Sequence, residues 1–174
     1  MKKNKLGRLK NRLIAKILTR FPSLLNIWIK KAKPVVVEGI PWMPFTKDLR
    51  RCKIALLTTA GVHLKSQSPF NMSDPDGDPT YREIPLNTPN SELMITHDYY
   101  DHKDADKDIN IVFPIDRLKE MQAEGEIREI AEINYGLMGH VDENYIPALI
   151  NATAPKIAER LKKNNVDAAI LTPG

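Results

Sequence analysis

The chain has 174 residues, 42% of them hydrophobic and 28% charged, which is one ordinary domain long enough to bury a core. Its single cysteine, Cys52, excludes an internal disulfide and points to a reducing, cytoplasmic setting. The net charge of +4 is divided: residues 1 to 33 hold eight Lys, three Arg and no acid, leaving 15 bases against 22 acids in the rest, which argues against a nucleic-acid binder with a basic footprint over its whole surface.

Leu6, Leu9, Leu13 and Ile17 recur at helical spacing, as do Ile14, Leu18, Phe21, Leu25 and Trp28. Residues 1–33 therefore read as a basic amphipathic tail, one helix or a pair broken near Pro22. Such a tail packs on the body or a partner subunit, or makes weak contact with an anionic membrane surface. No apolar run approaches the roughly 20 residues of a membrane span, and lysines and arginines interrupt the early apolar residues, against a secretory signal.

Residues 34–52 form a proline-rich connector, in which Pro34, Pro41 and Pro44 disfavour helix. Residues 53–174 read as an α/β domain that is incomplete at its carboxyl end. Lys53 to Thr59 is continuous in apolar character, as buried parallel strands are. Ser66 to Pro89 is a long Asp-, Pro-, Ser- and Asn-rich loop with a short extended piece at Tyr81 to Pro85. Glu92 to Thr96 is a second strand, and Ile109 to Phe113 a short strand or helix approach. Pro114 starts a helix that Gly125 stops. Ile127 to Ile133 is a strand leading into a glycine-bearing exit, Gly136-Leu137-Met138-Gly139. Ile146 to Lys163 is helical, its second half opened by Pro155 after Thr153 as cap, and Val166 to Leu171 is a last strand. The alternation predicts an open, mostly parallel sheet with crossover helices, a Rossmann-like half behind the amino-terminal helix.

Of the four histidines, His63, His97 and His140 fall just past predicted strand ends, which converge on one crevice in such a sheet, and His102 follows in the same acidic loop as His97. The segment from His97 to Asp108 holds two His and five Asp in twelve residues. It reads as metal ligands, as acid/base and substrate-holding groups, or as a solvated loop with capping aspartates. Its spacing matches no zinc or EF-hand pattern, and no metal site is assigned. Arg82 beside Tyr81 and Glu83 suits either a clamp on a substrate carboxylate or a surface ion pair. Cys52 reads as a small buried residue rather than a nucleophile. No phosphate loop and no nucleophile elbow is present.

Several blocks then occur in a telling order. They are Thr58-Thr59-Ala60-Gly61-Val62-His63-Leu64-Lys65, Thr80-Tyr81-Arg82-Glu83-Ile84-Pro85, His97-Asp98-Tyr99-Tyr100-Asp101, the run from Asp106 to Leu118, Gly136-Leu137-Met138-Gly139, and Val166 to Gly174. Together they resemble the selenoprotein B family of the glycine, sarcosine, betaine and D-proline reductases, from about Pro41 to the end, with the basic helix outside the match. The resemblance implies reductive cleavage of a substrate carbon–nitrogen bond in a cytoplasmic enzyme component. It implies a selenocysteine, or a cysteine in selenium-free relatives, directly after Leu171-Thr172-Pro173-Gly174, so that the chain as written is truncated before its nucleophile, at an in-frame UGA, and inactive. No cofactor is expected within this chain itself. A pyruvoyl group on a partner subunit and a thiol reductant system are the implied partners, with homo-oligomer formation left open. His63, His97, His102 and His140 become the candidate catalytic residues, for protonating the leaving amine or supporting the selenolate, and Arg82, Asp98 and Asp101 the candidate substrate-binding residues. The competing expectation is a non-catalytic or metal-binding α/β module that works in a complex or at a membrane surface.

Overall fold

A computed structural model describes residues 2–21, 23 and 43–174. The expectations placed on Pro22, Leu25, Trp28 and the connector prolines Pro34 and Pro41 lie outside the described residues, and residues 43–46 have no regular structure.

Strand β1 (Lys53–Thr58) is the centre of the main sheet. Its Ile54, Ala55 and Leu56 are fully enclosed, as expected of an apolar run with parallel neighbours on both edges. On one edge lies β7 (Ala168–Thr172), parallel, with Ile54 opposite Ala168 and Thr58 opposite Thr172. The other edge is shared by β5 (Glu129–Ile130) and β6 (Ile133–Leu137), both parallel to β1. β3 (Tyr81–Pro85) completes the sheet, antiparallel on the outside of β6. The architecture is therefore mixed α/β with a mostly parallel sheet, as the alternation predicted.

The strand expected at Ile127 to Ile133 runs further and is broken. Between β5 and β6 the ladder lapses, and the Leu56 N–H there donates to the Asn134 side-chain oxygen at 2.8 Å. The Asn134 amide in turn donates to the Ala131 carbonyl at 3.0 Å. A fully buried asparagine thus supplies the partner that a buried backbone donor requires. Gly136 lies inside β6 rather than in a strand exit. A Cβ there would come within 1.9 Å of the Val62 carbonyl oxygen, so the position marks a close backbone crossing.

The second expected parallel strand is also corrected. Its core, β4 (Leu93–Ile95), leaves the main sheet and pairs antiparallel with β2 (Val62–Leu64). Leu93 and Ile95 are buried while Met94 between them is exposed, the alternation of a strand covered on one face only. β3, in contrast, occupies the stretch read as extended, Tyr81 to Pro85.

Helix α1 (Lys2–Arg20) docks through Arg8 and Arg12 on Asp98. Ile109–Ile111 forms a 3-10 turn capped by Asp108, the helix approach rather than the strand. α2 (Ile115–Ala123) follows Pro114 and buries Ile115 and Leu118 against the sheet. It stops as expected: Gly125 takes φ +75°, while the Glu126 N–H reaches the Met121 carbonyl and the Gly125 N–H the Gln122 carbonyl. α3 (Ile146–Ala148) runs through a π turn, Leu149–Thr153, into α4 (Ala154–Lys163). Because the chain enters α4 already helical, Thr153 caps nothing; its hydroxyl donates to the Pro79 carbonyl at 2.7 Å. The Arg160 guanidinium pairs with Glu83 and ties α4 to β3. Cys52 is wholly buried and free, its thiol on the Asp48 carbonyl. No helix among the described residues is long and apolar enough to cross a membrane.

Candidate functional site

The carboxyl ends of β1, β6 and β7 meet around Ala60. The Thr59 N–H donates to the Thr172 carbonyl at 2.9 Å and the Gly61 N–H to the Leu137 carbonyl at 2.8 Å. Ala60 itself bridges to Met138. Gly174 presses on it so closely that an added Cβ would stand 2.5 Å from the Ala60 Cα. The Thr172 hydroxyl donates to the Val112 carbonyl at 2.6 Å, which anchors the end of β7 to the segment before α2. From the other side the Tyr100 hydroxyl donates to the Ala60 carbonyl at 3.0 Å.

Tyr100 belongs to a chain of packed rings. His97 meets it edge-on at 4.8 Å between centroids and meets Tyr99 at 5.9 Å. Tyr99 stacks on His140 at 3.9 Å, and Tyr100 meets His102 at 5.5 Å. Three of the four expected histidines are therefore gathered. The two tyrosines that join them were absent from the candidates; their adjacency to two histidines in His97-Asp98-Tyr99-Tyr100 was the available signal.

The three rings differ in surroundings. His97 is only 5% exposed and accepts a hydrogen bond from the Tyr99 N–H on Nδ1, which puts its single proton on Nε2. Burial, seconded by the neighbouring His140 and His102, lowers its pKa to about 4, against a small opposing pull from Asp98. His102 and Asp106, one helical turn apart, meet at 2.9 Å through Nδ1. His140 donates from Nε2 to the Pro75 carbonyl at 2.6 Å, fastening the long loop to the end of β6.

His63 lies apart, on β2 rather than in the turn after β1. Its ring contacts are Leu64, Thr96 and Phe70: Nδ1 donates to the Leu64 carbonyl, Nε2 accepts from the Thr96 hydroxyl, both at 2.8 Å, and the ring meets Phe70 edge-on. Burial lowers its pKa, so it too stays neutral.

Asp98 is completely enclosed and its carboxylate is held by α1. Arg8 Nε donates at 2.5 Å and Arg12 Nε at 2.7 Å, one to each oxygen. Burial by itself would raise this carboxyl, but the two arginines outweigh it and hold the pKa below the usual carboxylate value. Asp101 lines a small cavity of about 180 Å³ with Arg12, Lys16, Tyr100, His102 and Asp106. Arg82 sits on β3, its fork spent on the Ser68, Pro69 and Tyr81 carbonyls and the Thr80 hydroxyl, and its plane 4.4 Å over Phe70. There it fastens the long loop to the sheet edge and borders a cavity of about 550 Å³ with Gln67, Tyr81 and Lys156. Among the described residues no group of three His, Cys, Asp or Glu is arranged to hold a metal ion.

Residues 31–174 match the family model of the glycine/sarcosine/betaine reductase selenoprotein B. The chain is 41% identical over 133 residues to the D-proline reductase subunit gamma of Acetoanaerobium sticklandii, covering 76% of this chain and 53% of that protein. It is 33% identical over 143 residues to the glycine reductase complex component B subunit gamma of Symbiobacterium thermophilum, and 32% identical over 139 residues to that of Carboxydothermus hydrogenoformans. Each of these last two matches covers 78% of this chain and 31% of the relative. The chain thus spans about half the length of the first relative and about a third of the others. No solved structure matches it.

Proposed function

The chain belongs to the glycine/sarcosine/betaine reductase selenoprotein B family, and we propose that it forms the part of a reductase component that shapes the crevice for reductive cleavage of a carbon–nitrogen bond in an amino acid or amine. The observation that carries this reading is the meeting of Gly174 and Tyr100 on Ala60, beside the ring chain of His97, His102 and His140. A selenocysteine or cysteine directly after Gly174, as the resemblance implies, supplies an anionic nucleophile at neutral pH, and a pyruvoyl group on a partner subunit supplies activation of the amine. The close packing of Gly174 on Ala60 fits a chain that delivers its next residue to this junction.

The residues present then have defined tasks. Breaking the carbon–nitrogen bond sends its electron pair to nitrogen, which needs a proton, while a dithiol supplies the two electrons that reduce the carbon. His102 suits that proton transfer: the Asp106 carboxylate accepts from Nδ1 and leaves Nε2 for the exchange. His97 stays neutral and orders the rings around it, since a buried ring with a pKa of about 4 holds no second proton at neutral pH. Tyr100, whose hydroxyl burial pushes up, stays protonated and keeps the Ala60 carbonyl in place.

D-Proline is the first substrate to test, because identity is higher to the D-proline reductase subunit than to the glycine reductase subunits. The full-length component is combined with its pyruvoyl subunit and a dithiol, and ring opening of D-proline is measured against amine release from glycine, sarcosine and betaine. Turnover of one of the four, with His102→Gln lowering kcat by about a hundredfold at unchanged KM and altering the pH profile, supports the reading. Failure to turn over any of the four would overturn it.

A further inference from the structure

We propose that α1 is an interfacial helix that lays its apolar face on an anionic lipid surface while its opposite face carries the body. This is independent of the reductase reading, because the family match begins at residue 31, beyond the helix. At about 100° per residue, Arg8, Arg12 and Ala15 share one face. The structure turns that face inward: both arginines bond Asp98, and Ala15 is buried. Leu9, Leu13, Ile14, Ile17 and Phe21 fill the opposite arc, and all five are exposed, Leu9 at 64% and Leu13 at 60%. The pins on Asp98 thus fix an apolar stripe pointing away from the protein.

The charge around the stripe identifies what it meets. Lys10, Lys16 and Arg20 are exposed within or beside the arc, and residues 1 to 33 contain no acid. By the same turn angle Lys10 and Arg20 stand within the apolar band and Lys16 at its border with the docked face. Long cationic side chains that reach past apolar neighbours, with no carboxylate among them, fit a phosphate-lined interface. A symmetric contact with a second copy would set these cations against their own equivalents with no acid on either helix to pair them. The rest of the chain, with its excess of seven acids, is repelled by an anionic surface and confines contact to the helix. No described helix is long and apolar enough to cross the bilayer, so the contact is peripheral.

Flotation of the full chain with phosphatidylglycerol/phosphatidylcholine vesicles, and separately with pure phosphatidylcholine vesicles, tests this. The expected result is binding to the anionic vesicles only, falling at least about tenfold between low and physiological salt. Leu13→Glu with Ile17→Glu is expected to remove binding, and Lys10→Glu with Arg20→Glu to weaken it about tenfold or more. Both pairs are exposed, and unchanged trypsin resistance of the docked helix confirms that the fold survives. Absence of binding to the anionic vesicles, equal binding to both kinds, or binding that survives both variants would each overturn the proposal. A dimer that Leu13→Glu with Ile17→Glu converts to monomer, without vesicle binding, would assign the stripe to a second copy. Association with the pyruvoyl subunit through these residues, again without vesicle binding, would assign it to protein.

Discussion

A histidine held neutral down to about pH 4 makes the fold itself pH-sensitive in a defined window. His97 titrates near 6.5 in an unfolded chain and near 4 in the folded one, chiefly because the ring is buried. The unfolded chain therefore takes up a proton that the native state refuses. The stabilising difference is whole above about pH 6.5 and is lost as pH falls from there toward 4. Between pH 7 and pH 5 His97 is expected to cost about 2 kcal/mol of unfolding free energy, and His97→Gln to flatten that part of the profile even though it lowers stability at pH 7. Urea unfolding at the two pH values checks this; equal slopes for the two proteins would remove His97 as the cause. The sequence disclosed which histidines stand near strand ends, but not their state. Nothing in the residue pattern separates His63, closed off by Leu64 and Thr96, from His102, partly exposed and paired with Asp106. Arg82 was equally ambiguous, because its donors are absorbed by loop carbonyls whose positions only the folded chain defines.

Among the elements, β1 and α2 were legible because one local signal determined each: a continuous apolar run, and a proline start with a glycine stop. β4 was misplaced because a three-residue apolar segment does not state its pairing partner, which is decided by the long connection on either side. β6 was cut short because Asn134 and Gly136 look like loop residues. Both are required inside the strand, one to replace a missing ladder bond and the other to let the Val62 backbone pass. Two glycines should therefore respond very differently to alanine. Gly136→Ala puts a methyl group into a carbonyl oxygen and is expected to cost more than about 3 kcal/mol, or to prevent folding. Gly125→Ala meets no atom within 4 Å and strains only its positive φ, for about 1 kcal/mol. Thermal unfolding of the pair compares them, and similar losses would contradict the close crossing at β6.

For the molecule as a whole, no strand among the described residues pairs with the outer edge of β7, whose outer surface is apolar, Leu171 being 70% exposed. The 174-residue chain is expected to self-associate with rising concentration, and Leu171→Lys to suppress this without weakening the β1–β7 ladder. Sedimentation velocity reads the outcome, and a wild-type chain that stays monomeric at high concentration would refute it. The sheet topology also bears on how the chain matures. β1 is made early, yet its partners lie at Glu129, Tyr135 and Ala168, the last of them 114 residues downstream of Ile54. On the ribosome, its apolar residues must wait for their partners until β5, β6 and β7 have emerged. Such remote closure is slow and leaves sticky nascent chain exposed. Yield in cells should therefore depend on chaperone supply and on the pace of translation more than the stability of the finished protein would indicate.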